Sequence, residues 1–572
     1  MEFDNREQPR ENIKKSDFVN KRKEKIKAWL KNPYNLIFLG ILILGFIIRL
    51  YYFNLTKSQP LWWDESDYMA YAKNLAGFNV DWIATPEHKS LFSFIAALFF
   101  KIGLSGEIVK FFVQIVPSVL SIFLVYLICN EMYKDKRIGL VSAFLMATLW
   151  DHLFNTMRFH IDISALFTGL LAIYVFWKGY ENKEKIFGKV SSVWAIPLTV
   201  LLVVLTYGIR RGHFLFGVFF FIYMLSTRKL KNLLKDKYNW ISLVLVVILL
   251  FLAEKFIFAS EQTGVGAYTT YFHPENKINF LPLGIFPSYF DSLTAWPSIL
   301  LYLYWIGFII LIFNIFLSFG HIKNMESGNV RSDLFNVIAI VITLAFFIFI
   351  VRSPTVLGES RWYLTLALGA FVCISKASLI IIDLIKPYSK YIAFGLLIIM
   401  IGIGGYYELR HADDIIKVKI GSYEGIKQAG LYLKEIANED DLIISVPEPQ
   451  TEYYAERIVV HPVRLIGWNG TDADVPMESV MEKIRENKKI KYFLVSFSEP
   501  HHPVWMMKTY YANQNGQTVM AGWEIPFMET KIDFINNQQD IKQEKTYGDI
   551  TFKLLNIKQD VFIYEIIRTG GL

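Results

Sequence analysis

Two things are scarce in this 572-residue chain: cysteine, with two, and charge, with Asp, Glu, Lys and Arg together making 19% of the residues. Cys129 and Cys373 both lie inside apolar runs, so neither a disulfide framework nor a cysteine metal site is indicated. Charge this sparse cannot solvate a chain that is 53% hydrophobic, which argues against a soluble protein and leaves the bilayer as solvent for most of it. There is no glycine-rich phosphate loop, no short-period repeat and no low-complexity linker, so ATP hydrolysis and repeat arrays have no support. The polar, lysine-rich start lacks the short apolar core and cleavage site of a signal peptide, and the first apolar run is expected to stay as an anchor. The net charge of +7 comes in short clusters between apolar runs, the pattern of membrane loops, and no nucleic-acid partner is expected.

Apolar runs fall at 33–53, 108–129, 138–150, 163–177, 190–205, 214–224, 239–256, 296–319, 334–351, 363–382 and 391–406. Taken as helices they make about eleven spans. The segment 90–104 is apolar but only about 15 residues long, short of the ~20 that a span needs. Laid in the interface, it lets the basic clusters at 134–137, 183–189, 228–237, 323 with 331, and 386 with 390 fall on the side of the N-terminus, which by the positive-inside trend is the cytoplasm. An odd span count then puts everything after Glu408 outside. The expected fold is a polytopic α-helical membrane protein, residues 1–410, followed by an extracytoplasmic soluble α/β domain, residues 411–572, with strands near 441–446, 458–463 and 490–497.

The first outer loop carries Trp62-Trp63-Asp64-Glu65-Ser66-Asp67-Tyr68. Two readings fit: an interfacial aromatic belt with solvated acids, or a carboxylate pair under aromatic walls, where partial desolvation suits one acid to act as a base. The next outer loop holds Asp151, His152, Arg158, His160 and Asp162. If that stretch is helical, Arg158 and Asp162 lie four apart on one face, where a plain salt bridge is the simpler account. Arg210, Arg211 and His213 sit in a very short outer turn against the positive-inside trend, and paired arginines suit a phosphate at headgroup level, whether of a substrate or of ordinary lipid. His88, Lys89 and Arg361 add cations on the same side. Acids in two outer loops and cations in three others suit a substrate bearing both hydroxyls and a phosphate.

These motifs resemble the GT-C superfamily of membrane glycosyltransferases, in particular the family 39 group of protein O-mannosyltransferases and aminoarabinose transferases. Trp63-Asp64-Glu65 is similar to the family's Asp-Glu signature in the first outer loop, and Met157-Arg158-Phe159-His160-Ile161-Asp162 resembles its second acidic loop. Arg210 and Arg211 fall where these enzymes often carry a basic residue, and Glu359-Ser360-Arg361-Trp362-Tyr363 resembles their late Arg-Tyr element. Thr85-Pro86-Glu87-His88-Lys89 departs from the family's His-Pro-Pro or Lys-Pro-Pro order. The resemblance is close over the first two hundred residues and mainly topological thereafter.

The resemblance implies an inverting transfer of a monosaccharide from a polyprenyl-phosphate donor, dolichyl phosphate included, to an acceptor hydroxyl of a protein, lipid or glycan. Asp64, Glu65 and Asp162 are then the catalytic candidates. His88, Lys89, Arg158, Arg210, Arg211, His213, Arg361 and Tyr363 are candidates for the donor's lipid phosphate. The sequence names no cofactor, and a divalent metal, if used, would fall to Asp64 with Asp162. The expected setting is a prokaryotic plasma membrane with the active site and the last domain outside, and with membrane lipid as a neighbour. A transporter or lipid flippase, and a noncatalytic surface scaffold, are the alternatives. The loop 259–291, rich in Gly, Pro and Tyr, is a candidate lid or a packed surface loop.

Overall fold

The computed structural model of the chain describes residues 24, 27–83, 88–258, 299–318, 328–351, 359–499 and 501–569. Within them, nine helices are long and apolar enough to cross a membrane. They are α1 (Pro33–Thr56), α4 (Gly106–Tyr133), α7 (Ile161–Glu181), α8 (Ser192–Ile209), α10 (Lys237–Ile257), α11 (Ile299–Leu317), α12 (Asn329–Val351), α13 (Ser360–Ile385) and α14 (Lys390–Lys419). Helices suit this setting because lipid offers backbone amides no partner, so each segment must satisfy its own. The two other expected spans take different forms. The run 138–150 belongs to a pair, α5 (Lys136–Thr148) and α6 (Trp150–Thr156), bent by 52°, and 214–224 belongs to the shorter apolar helix α9 (Arg211–Thr227). The chain is thus a multi-pass integral membrane protein, as its composition requires. The candidate lid at 259–291 lies outside the described residues, as does Thr85-Pro86-Glu87.

Two short helices build one end of the bundle. The first, α2 (Trp63–Ala76), is closed by Gly77 at φ 88, a left-handed residue whose N–H caps the carbonyls of Lys73 and Asn74. The apolar segment at 90–104 forms α3 (Leu91–Lys101), begun by Ser90, whose side chain accepts the N–H of Phe92. Too short to span, α3 packs on α2 through Phe92 against Tyr68, with ring centroids 6.1 Å apart.

The break between α5 and α6 is held from two sides. Arg49 of α1, fully buried, donates to the carbonyls of Ala147 (3.0 Å) and Met146 (3.3 Å) in the last turn of α5, to Gly45 (3.0 Å) and to Ser118 Oγ (2.6 Å). Glu408 of α14 accepts the N–H of Trp150 at 3.1 Å on the far side of the break. Backbone groups freed by a kink in a membrane must find such partners, and these place α6 across the end of the bundle that carries α2 and α3.

After α14 come α15 (Glu424–Ile436), α16 (Glu448–Ala455), α17 (Met477–Glu486) and ten strands. The expected strands appear as β1 (Leu442–Ile444), β2 (Val459–Val460) and β3 (Ile490–Ser496), which pair in parallel in the order β2-β1-β3. The same sheet continues antiparallel through β10 (Val561–Arg568), β9 (Ile550–Lys558) and β8 (Glu544–Tyr547). A second, antiparallel sheet holds β4 (Lys508–Gln514), β5 (Gln517–Ile525), β6 (Thr530–Asp533) and β7 (Gln538–Asp540). The expected α/β domain is thus present, helices and parallel strands coming first and a nearly all-strand stretch following from Lys508 on. This unit docks on α2 through α16. Tyr454 accepts the N–H of Leu61 at 2.9 Å, Lys73 pairs with Glu456 at 2.8 Å, and buried Glu452 accepts the N–H of Asp81 at 2.6 Å.

Candidate active site

Asp64 and Glu65 are neighbours in the first turn of α2, where the helix dipole favours negative charge. Successive helical residues point about 100° apart, so the two carboxylates meet different surroundings. The side chain of Asp64 is 34% exposed and lines a cavity of about 380 Å³ whose walls include Trp62, Trp63, Trp150, Phe154 and Tyr423. Glu65 is buried, pairs with Arg158 and accepts the N–H of Phe159 at 3.2 Å. The Arg158 guanidinium lies 3.3 Å over the Trp62 ring, and the Tyr423 ring meets Trp62 edge-on, their centroids 6.2 Å apart. Glu65 and Arg158 thus brace the tryptophan wall and do not line the cavity.

Arg361 is the cation of the cavity. It donates to Asp64 Oδ2 at 3.0 Å and to Glu359 at 2.6 Å, and its Nη1 lies 3.2 Å from His160 Nδ1. His88 Nε2 stands 3.9 Å from Asp64 Oδ1 while its Nδ1 contacts Asp67, which also accepts the indole N–H of Trp82. Burial pushes the Asp64 carboxyl up, but Arg361 and His88 outweigh it and hold the group below its ordinary value. Burial and the guanidiniums of Arg361, Arg158 and Arg210 push His160 well down, so its ring is neutral. Asp151 and Asn155, one turn apart on α6, reach the cavity because of the break. Asn155 donates to Asp151 at 3.2 Å, and Ser360 donates to Asp151 from the first turn of α13.

Asp162 is buried at the start of α7 and pairs with Arg210, so the expected Arg158–Asp162 bridge does not form. The reason is local: residues 157–160 are turn and coil, and Asp162 begins a new helix. The Arg210 guanidinium lies 4.0 Å over Trp362, the neighbour of Arg361. Arg211 pairs with Glu254 at 3.6 Å and lies over Phe258 at 3.9 Å. Glu254 and Tyr207 border an apolar cleft of about 1010 Å³ between α8, α9 and α10. Asp64, Arg361, Arg210 and Arg211 therefore form a row from the polar cavity to the mouth of an apolar groove. Lys89 is half-buried beside the start of α3. His213 is buried and stacked on Phe216, its ring nitrogens without a hydrogen bond among the described residues, and Tyr363 is buried against Phe347. Neither lines the cavity.

Among the described residues no three His, Cys, Asp or Glu gather as metal ligands, and Asp64 and Asp162 each face an arginine. Sequence reasoning missed Trp150, Asn155 and Tyr423 as cavity residues. Asn155 had a faint signal, its four-residue spacing from Asp151; Tyr423 had none, because it arrives from the far end of α14.

Residues 87–254 match the family model described as dolichyl-phosphate-mannose-protein mannosyltransferase. The match contains His88, Arg158, Asp162, Arg210 and Arg211, but neither Asp64 nor Arg361. The archaeal oligosaccharyltransferase AglB from Archaeoglobus fulgidus superposes in its apo form with a TM-score of 0.55 at 13% identity, covering 86% of this chain and 75% of that one. The chain has the GT-C fold. The same archaeal enzyme with an inhibitory peptide and a dolichol-phosphate gives 0.53 at 11% identity, over 86% and 74%. ArnT from Cupriavidus metallidurans bound to undecaprenyl phosphate gives 0.51 at 10% identity, over 85% of this chain and 97% of that one. No curated protein matches the chain by sequence. The family match covers residues 87–254 alone, and the superpositions show a shared fold.

Proposed function

We propose that this GT-C protein transfers a monosaccharide, with inversion, from a polyprenyl-phosphate donor to an acceptor hydroxyl of a protein, lipid or glycan. The observation that carries it is the row of Arg361, Arg210 and Arg211 joining a carboxylate-bearing cavity to an apolar groove. The two ends of that row match the two halves of a polyprenyl-phosphate sugar. The prenyl chain lies in the groove between α8, α9 and α10, the phosphate meets the arginines, and the sugar enters the cavity beside Asp64. A cavity of about 380 Å³ is at the small end of the ~300–1,000 Å³ usual for ligand sites, which favours a monosaccharide over an oligosaccharide.

In the displacement, the acceptor oxygen attacks the anomeric carbon as Asp64 takes its proton, and the bond from that carbon to the phosphate oxygen breaks. The leaving group is a phosphate monoester, whose added charge the arginines stabilise as it develops. General-base help of this kind is worth ~10²–10⁴ in rate. In the ligand-free arrangement Arg361 holds Asp64 ionised but weakly basic. Drawing Arg361 toward the donor phosphate strengthens the base once substrate is in place. His88 and Asp67 orient Asp64 from below, while Asp162 positions Arg210.

The basic clusters at 134–137 and 386–390 lie at the ends of α5, α13 and α14 remote from the cavity, and the C-terminal domain reaches the cavity through Tyr423. Both features support an extracytoplasmic active site, with the domain after α14 on the same side. The test is transfer from a panel of radiolabelled polyprenyl-phosphate monosaccharides in membranes. Wild type is expected to transfer and Asp64→Asn to fail at matched expression. No transfer from any donor by the wild type would overturn the reading.

A further inference from the structure

A second apolar groove lies at the opposite end of the bundle. It has a volume of about 570 Å³ and runs between α1 and α14 over a floor made by α5 and α13, lined by Ile37, Phe144, Leu379, Leu397 and Ile401. Its length along α14, from Lys390 to Gly402, is about 18 Å at 1.5 Å per residue. That slightly exceeds the ~15 Å of one leaflet's hydrocarbon, half of a ~30 Å core. Gly402 stands at the deep end, where a Cβ would meet nothing within 4 Å, so the groove is open there.

Arg137, Asp383, Lys386 and Lys390 stand at the mouth. Arg137 is spoken for: it pairs with Asp135 at 2.8 Å and Asp383 at 2.9 Å. Lys386 and Lys390 are exposed and make no ion pair among the described residues. One groove therefore presents a leaflet-deep apolar channel below two uncompensated ammonium groups. The catalytic row does not reach it, since α1 and α14 begin here and end at the cavity side.

We propose that this groove is a site for an anionic diacyl phospholipid, an acyl chain lying along α14 between α1 and α5 and the phosphate held by Lys386 and Lys390. The charge pattern selects this occupant: a zwitterionic lipid fills the groove equally well but gains nothing net from the two lysines. Two such surface lysines, partly offset by the second carboxylate on Arg137, favour an anionic headgroup by on the order of ten-fold.

The test is native mass spectrometry of the full chain in detergent, titrated with phosphatidylglycerol or with phosphatidylcholine of the same acyl chains. Wild type is expected to retain one phosphatidylglycerol about ten-fold over phosphatidylcholine. Lys386→Gln with Lys390→Gln is expected to abolish that preference, and Gly402→Leu, which narrows the channel without touching charge, to lower retention of both lipids. Equal retention of the two lipids by wild type, or a preference that survives the double lysine variant, would overturn the proposal.

Discussion

Arg361 donates to Asp64 at 3.0 Å although 297 residues of chain separate them. The pair joins the start of α2 to the start of α13 and sets the protonation of the one member of the Asp64-Glu65 pair that reaches the cavity. Its consequence is a pH dependence. Asp64 must be ionised to accept a proton, and Arg361 is the largest influence holding its carboxyl below 3.8. Arg361→Gln removes that cation, so the carboxylate is less favoured, its pKa rises, and the acid limb of kcat/KM moves to higher pH. An acid limb at the same pH in both proteins would show that Asp64 is not the titrating base.

The two adjacent acids are expected to fail in different ways. Glu65→Gln leaves the Arg158 guanidinium buried without its counter-charge, a loss of about 3–5 kcal/mol. Asp64→Asn touches a partly exposed carboxylate and is expected to leave stability nearly unchanged while removing transfer. Thermal unfolding in detergent beside a transfer assay separates the two; equal destabilisation by both would contradict the division of labour.

Arg49 is expected to act on the site from a distance, as a positioning residue. Arg49→Lys keeps the charge but cannot serve the carbonyls of Met146 and Ala147, Gly45 and Ser118 Oγ together. Each lost charged hydrogen bond is worth about 1.5–3 kcal/mol. The variant should melt earlier and lose kcat with little change in donor KM, because α6 and its Asp151 and Asn155 shift while the arginine row stays. A kcat equal to wild type would remove Arg49 from the account of the site.

The docking of the last domain on α2 should weaken as pH rises. Burial pushes Glu452 up to about 8, against an ordinary 4.5, so between those values the folded state holds a proton that the unfolded state has released. Stability therefore falls through that window as pH increases and is level above it. Glu452→Gln, which keeps an oxygen for the N–H of Asp81, is expected to flatten the profile. Unfolding temperatures of both proteins from pH 5 to pH 8.5 check this, and parallel profiles would assign the dependence elsewhere.

Much was legible in the residues because lipid imposes a simple demand. Runs such as 33–53 and 334–351 must be helices, since no other local structure satisfies its own backbone in a bilayer. The break after Thr148 was not legible, because its partners, Arg49 and Glu408, lie about one hundred residues before it and more than two hundred after it. The strands from Lys508 on were not resolved one by one, since the pattern in β4 and β5 is half-exposed and lacks a clean apolar alternation.

The sequence by itself determined that this is a multi-pass membrane protein with acids and arginines in its loops, since composition and charge decide solvent and placement. Only the tertiary structure decided which acid does which work. Asp64 and Glu65 are chemically near-identical neighbours, and what divides them is the helix rotation that turns one toward a polar cavity and Arg361 and the other into a buried pair with Arg158, 93 residues away. Partners so distant in the chain leave no periodicity or spacing to read, because their meeting is fixed by how helices pack and not by how residues follow one another.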